Sequence, residues 1–222
     1  MSQLPLLRLL HLASPALPIG GFHFSQGLEY AVERGWVADE ASTLDWISGI
    51  ARTSVGTLDL PLVLRLHSAW FESDLDAVKH WSDRLLAARE TDELRAEDRH
   101  LGASLARILI DLKIASASEI EKERATFGSM FALACVRSNV AVAETLSTYL
   151  WICAENQTLA AVKLVPLGQS AGQRILHALL PKLDEIADAA IQVSDEQIGA
   201  SALMQFFASA RHETQYTRLF RS

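Results

Sequence analysis

Histidines and acidic residues carry the clearest chemical potential in this chain. The seven histidines are His11, His23, His67, His80, His100, His177 and His212. None pairs with another at i+2, i+3 or i+4, the spacings by which a strand or helix points two imidazoles at one metal ion. Glu97 and His100 form a single Glu-x-x-His. A helical di-iron centre needs two such motifs and two further helix glutamates. No second such motif is present, so a di-iron centre is not expected; the alternative readings are a helical metal-dependent enzyme using Glu97 and His100, or an unrelated helical adaptor. The competing expectation is a solvated, charged helix start, with Glu93 and Glu97 one turn apart and Arg95 and Arg99 beside them. There is no Gly-x-x-x-x-Gly-Lys-Ser/Thr to cradle a phosphate and no Gly-x-Ser-x-Gly to present a nucleophilic serine. Catalysis by this chain alone finds little support.

Three segments suggest shaped surfaces instead. Ala13 to Glu29 holds Pro15, Pro18, Gly20 and Gly21 in front of a helix-forming stretch. Proline fixes φ and cannot donate, and glycine reaches angles other residues avoid, so this is a rigid loop. Such a loop either only connects helices or carries function. Lys163 to Arg174 contains Pro166 and Gly168, which break a helix and present Gln169, Gln173 and Arg174. That is either a bare kink or a polar docking surface with Lys163 as its cation. Residues 211–222 hold Arg211, Tyr216, Arg218, Leu219, Phe220 and Arg221, types that anchor interfaces. This tail either folds back on its own domain or orders against a partner.

The elements that must position these segments read as helices. Leu44, Ile47, Ile50, Ala51 and Val55 recur at three- and four-residue steps. Ser42 and Asp45 are spaced as a capping box for that helix. Asp59 and Pro61 restart a helix through Leu62, Leu66, Ala69 and Trp70, and Val78, Trp81, Leu85 and Leu86 mark the next. Leu94, Leu101, Leu105, Ile108 and Leu109 mark a long helix, acidic at its start as the helix dipole favours. Phe127 to Val136 is apolar on every side and should be a central buried helix. Ala141 to Lys163 suits one helix or two. Gln169 to Leu180 resumes before Pro181, and Ser194 with Gln197 caps a last helix running towards Ala210. No strand alternation, repeat or low-complexity linker appears. The expected architecture is all-α: one globular domain over residues 1–222 with roughly eight to eleven helices.

Composition narrows the function class. The chain has 222 residues, 50% of them hydrophobic, and a formal charge of −7. The net negative charge argues against a general nucleic-acid or anionic-membrane binder. The mean hydropathy of +0.15 points to apolar surface hidden at a subunit or partner contact, to a well-filled helical core, or to both. Cys135 and Cys153 form no Cys-x-x-Cys pair and read as reduced core thiols. No signal-peptide pattern opens the chain, and no apolar run is long enough to span a membrane. A soluble, cytoplasmic protein is expected.

Four segments resemble one known family, in its order and across nearly the whole chain. They are Ser14 to Glu29, Arg89 to Arg99, Leu164 to Leu176 and His212 to Ser222. The first, with Ser14-Pro15-Ala16-Leu17-Pro18-Ile19-Gly20, then Phe22 and Ser25-Gln26-Gly27-Leu28-Glu29, resembles the N-terminal signature of the urease accessory protein UreF. The resemblance implies an all-α, non-catalytic, homodimeric protein of nickel-dependent urease maturation. It implies association with UreD (also called UreH), recruitment of the GTPase UreG, and delivery of nickel to apo-urease, with no cofactor bound directly. By the same resemblance, Pro18 to Glu29 and Lys163 to Arg174 form the UreG-facing surface, with Glu29, Lys163, Gln169 and Arg174 as contacts. The tail, with Thr214, Gln215, Tyr216, Arg218, Leu219, Phe220 and Arg221, is expected to order against UreD/UreH.

Overall fold

A computed structural model describes residues 3–221. Met1, Ser2 and Ser222, the ends of the expected domain, lie outside them. Among the described residues there are ten α-helices and no strand. They are α1 (Leu4–Leu12), α2 (Leu28–Glu33), α3 (Glu40–Ile50), α4 (Leu60–Glu72) and α5 (Leu75–Ala87), then α6 (Asp92–Asp111), α7 (Phe127–Arg137), α8 (Val142–Leu164), α9 (Gln169–Ile191) and α10 (Leu203–His212).

The apolar helix sits at the centre, as its composition demands. Met130 to Cys135 of α7 are almost wholly buried, and α4, α5, α6 and α8 pack around them. A helix apolar on all sides is stable only when surrounded on all sides. Helix α8 lies along α9, which also contacts α3 and α4. Both cysteines are free. Burial pushes the Cys135 thiol up to about 12, so it stays protonated as a core residue.

Several helix boundaries differ from the sequence expectation. The capping box of α3 lies one turn earlier than Ser42–Asp45: the Asp39 carboxylate accepts from the Ser42 N–H, and Ser42 Oγ accepts from the Asp39 N–H. No new start occurs at Asp59. A π-helical stretch, Ala51–Asp59, carries α3 directly into α4. Pro61 has no N–H for the carbonyl four residues before it. That Thr57 carbonyl accepts from Gly199 N–H instead, at 3.1 Å. Nor does Pro181 end α9, which continues ten residues beyond it to Ile191. Pro181 and His177 lie on the exposed face, where water can satisfy the carbonyl that loses its donor. The Ser194–Gln197 box caps only a 3-10 turn, and α10 begins later, at Leu203.

The start of α6 differs most. It is not a solvated charged face, because Glu97 and Asp98 are buried and the Glu93 side chain is nearly so. Each carboxylate is turned inwards to a specific partner. Arg89 lies between two buried aspartates. Its Nε donates to Asp98 at 2.9 Å, and its other guanidinium nitrogens donate to Asp59. Tyr149 Oη donates to Asp59 at 3.3 Å, and the free oxygen of Asp98 accepts the Phe127 N–H at 2.7 Å. Burial opposes the Arg89 charge, but Asp59 and Asp98 overcome it and hold the guanidinium firmly protonated. One network thus joins the end of the π stretch, the segment before α6, the start of α7 and the middle of α8. A close backbone approach reinforces it: a Cβ on Gly102 would lie 1.8 Å from the Ala125 carbonyl oxygen.

Two stability measurements check this account. Arg89→Ala strands two buried carboxylates and should cost about 3–5 kcal/mol in urea unfolding; a loss below about 1 kcal/mol would contradict the role given to the network. Gly102→Ala forces α6 away from the Ala125 turn. It should cost at least the about 1–3 kcal/mol typical of overpacking, read as a lower thermal midpoint.

Candidate functional site: a loop, a lysine and a tail on one face

The N-terminal loop is held by side chains from three helices. Its backbone is left-handed at Gly20, Gln26 and Gly27. Gly27 is required twice over, since its φ is +84° and a Cβ there would lie 2.6 Å from Ser209 N of α10. Gln26 Nε2 donates to Glu97 of α6 at 2.8 Å, while Gln157 Nε2 of α8 donates to the Ser25 carbonyl at 2.9 Å. Gln205 of α10 reaches Gln26 at 3.5 Å. These buried amides give the loop one conformation, because each lost bond would leave a desolvated polar group.

The tail returns across this loop. Helix α10 ends at His212, whose side chain is fully buried. Its Nε2 lies 3.1 Å from Glu29 of α2, and its Nδ1 lies 2.8 Å from Glu93 of α6. Glu29 is only 7% exposed. Its carboxylate also accepts the backbone N–H groups of Leu219 at 2.6 Å and Phe220 at 2.9 Å. Arg218 donates to Glu93 at 2.8 Å, and Arg221 N–H donates to the His23 carbonyl at 2.8 Å. Phe220 is buried in a small apolar cluster with Leu28, Ala31, Ala161, Val165 and Ala208.

Lys163 links loop and tail. Its ammonium lies 5.7 Å from the Phe22 ring centroid and 5.6 Å from that of Phe220, within cation–π reach of both. Glu29, Lys163 and the tail therefore share one face. Gln169 and Arg174 stand apart from this contact. Gln169 is exposed at the start of α9, and Arg174 makes a two-pronged ion pair with Glu40 of α3 at 2.9 and 2.6 Å. Within the tail, Thr214 Oγ1 bonds the Arg211 carbonyl in the turn that leaves α10, and Gln215 is half-buried. Tyr216 is fully exposed and Leu219 is 68% exposed. The tail thus folds back on its own domain while leaving the large side chains of Tyr216 and Leu219 in solvent.

The pairing of Glu97 with His100 dissolves in three dimensions. Glu97 turns in to Gln26, whereas His100 is exposed and packs at a tilt against Phe24, with ring centroids 5.7 Å apart. Among the described residues, no group of three His, Cys, Asp or Glu side chains is placed to hold a metal ion. A cavity of about 350 Å³ beside the Arg89 network is lined by Asp59, Arg89, Glu97, Asp98, Cys153 and Gln205, among others. His212 and Glu93 were missed as organising residues by sequence reasoning. His212 lies 183 positions from Glu29, and no local spacing could signal that contact.

All four segments that carry the family resemblance reach this face: the loop, the start of α6, the tail, and the Leu164–Leu176 segment through Val165. Comparison with known proteins agrees with the resemblance. The sequence profile of the UreF family matches residues 37–180. The chain is 45% identical over 217 residues to the urease accessory protein UreF of Teredinibacter turnerae, covering 98% of both chains. It is 44% identical to that of Alkalilimnicola ehrlichii, covering 97% of this chain and 95% of the relative. With that of Hahella chejuensis it shares 42% identity over the full length of both. With matches of this extent and a helical core that seats the family's signature segments together, the chain belongs to the UreF family of urease accessory proteins.

Proposed function

We propose that this protein is a non-catalytic adaptor in nickel insertion into apo-urease. In this reading it joins UreD/UreH to the GTPase UreG and couples GTP hydrolysis by UreG to metal transfer. It acts in the cytoplasm as a homodimer, and nickel is cargo of the assembly rather than a resident cofactor. No helix among the described residues is long and apolar enough to cross a membrane.

The observation that carries this reading is the shared face. Phe220 is anchored, while Tyr216 and Leu219 of the same short segment stand in solvent. Anchoring the backbone in advance lowers the ordering cost of binding, so the exposed residues can act as docking contacts. The residues assigned to UreD/UreH are Thr214, Gln215, Tyr216, Arg218, Leu219, Phe220 and Arg221. On the UreG side the assigned contacts are Glu29, Lys163, Gln169 and Arg174. Glu29 acts there by holding the tail and loop together rather than by touching the partner, since it is buried. Exposed apolar residues on α1 (Leu6, Leu7, Leu10) and α10 (Leu203, Met204, Phe207) supply further surface for association. For UreF to bias UreG, its affinity must differ between the two nucleotide states, and the coupling is reciprocal.

Co-purification with the cognate UreD/UreH tests the tail. A truncation should end at Glu213, because a chain ending at Arg211 would also lose the buried His212. The full chain should bind and the truncated one should not, with helical circular dichroism retained by both. Equal binding by both would return the tail to a purely intramolecular role. Tyr216→Ala and Leu219→Ala lie in solvent and should leave stability within about 0.5 kcal/mol while weakening UreD/UreH binding by about tenfold or more. Lys163→Ala should lower UreG recruitment and urease activation without unfolding the domain. Wild-type UreG binding and activation in that variant would remove Lys163 from the interface.

A further inference from the structure

The two ring nitrogens of His212 both face carboxylates, Nδ1 to Glu93 and Nε2 to Glu29. An ionised carboxylate only accepts hydrogen bonds. A neutral imidazole donates from one nitrogen alone, so its second contact would set a lone pair against a buried negative oxygen. Only the doubly protonated ring satisfies both. We propose that His212 is a proton-operated clasp: charged, it ties the C-terminal segment to α2 and α6, and on losing its proton it frees that segment. This inference stands without the partner assignment above.

The charges around the ring make the clasp two-sided. Helix α2 contributes Glu29, and α6 contributes Glu93. From the tail, Arg218 reaches the same Glu93. The sequence neighbours are Arg211 on α10 and Glu213 just beyond its end, both exposed. Lys163 of α8 stands over Phe220 at the far end of the segment. With His212 charged, two buried carboxylates face two cations. With it neutral, Arg218 serves Glu93 alone, and Glu29 keeps only the Leu219 and Phe220 amides. His212 is also the last residue of α10, where the helix dipole favours a cation.

Burial of the ring disfavours its charge, but hydrogen bonds to Glu93 and then Glu29 outweigh burial and raise its pKa above the usual 6.5. A pKa raised in the clasped state strengthens the clasp fully below about pH 6.5. That contribution declines as pH rises towards the clasped-state value and is gone above it, by up to about tenfold in the clasp equilibrium per pH unit. The switch therefore opens towards alkaline pH, releasing Tyr216 and Leu219 from a fixed position.

The test follows the full-length protein from pH 5.5 to 9. Hydrogen exchange at the Leu219 and Phe220 amides is read as protection relative to the unstructured rate, alongside NMR titration of the His212 ring. Protection should be level at low pH and fall above about pH 6.5, with a ring midpoint raised above that value. In His212→Gln, protection should be low and independent of pH, with helix content unchanged. Level wild-type protection across the range would overturn the proposal, as would a His212 midpoint at or below 6.5. So would a His212→Gln variant that keeps the wild-type pH dependence. If the variant fails to fold, the two wild-type titrations still decide.

Discussion

The architecture depends on Arg89 held between two buried aspartates. Few side chains could occupy that position, because a guanidinium can bond Asp59 and Asp98 at once while keeping its charge. The aspartates in turn take the Tyr149 hydroxyl and the Phe127 N–H. Four segments far apart in sequence are thereby fixed at one point. Such a network is costly to bury and costlier to break, since removing Arg89 leaves two uncompensated carboxylates inside the protein.

The same logic extends along α6. Its first turns carry Glu93, Glu97 and Asp98, and each acid is matched to a different distant element. Asp98 serves the core, Glu97 holds the loop through Gln26, and Glu93 holds the end of α10 and the tail. An acidic helix start is thus the post to which both the N-terminal loop and the C-terminal segment are moored. In a protein of the UreF family, whose work is to assist another protein, the consequence is a rigid display. Apolar anchors such as Phe220 fix the backbone, and neighbours such as Tyr216 project from it.

Much of this was legible in the residues. The all-α class followed from apolar residues repeating at three- and four-residue steps, and the buried centre at Phe127 to Val136 from a helix with no polar face. The rigid loop followed from Pro15, Pro18 and the paired glycines. The errors have a common cause. Pro61 and Pro181 read as breaks, yet Gly199 supplies the missing donor for one, and an exposed face tolerates the other. The acids of α6 read as solvated because in one dimension they lie among arginines. Nothing nearby in sequence showed that Asp59, Gln26 and His212 would come to meet that segment.

Helix periodicity, turn chemistry and the family motifs are local or ordered along the chain, so the sequence by itself determined the fold class, the loop and the family. Which carboxylates are buried, which residues meet at the loop–tail face, and whether the tail lies down were decided only by tertiary structure. Those outcomes depend on bringing buried charges to partners as many as 191 positions away. A buried charge is acceptable only where its partner arrives, and the folded chain alone sets where that is.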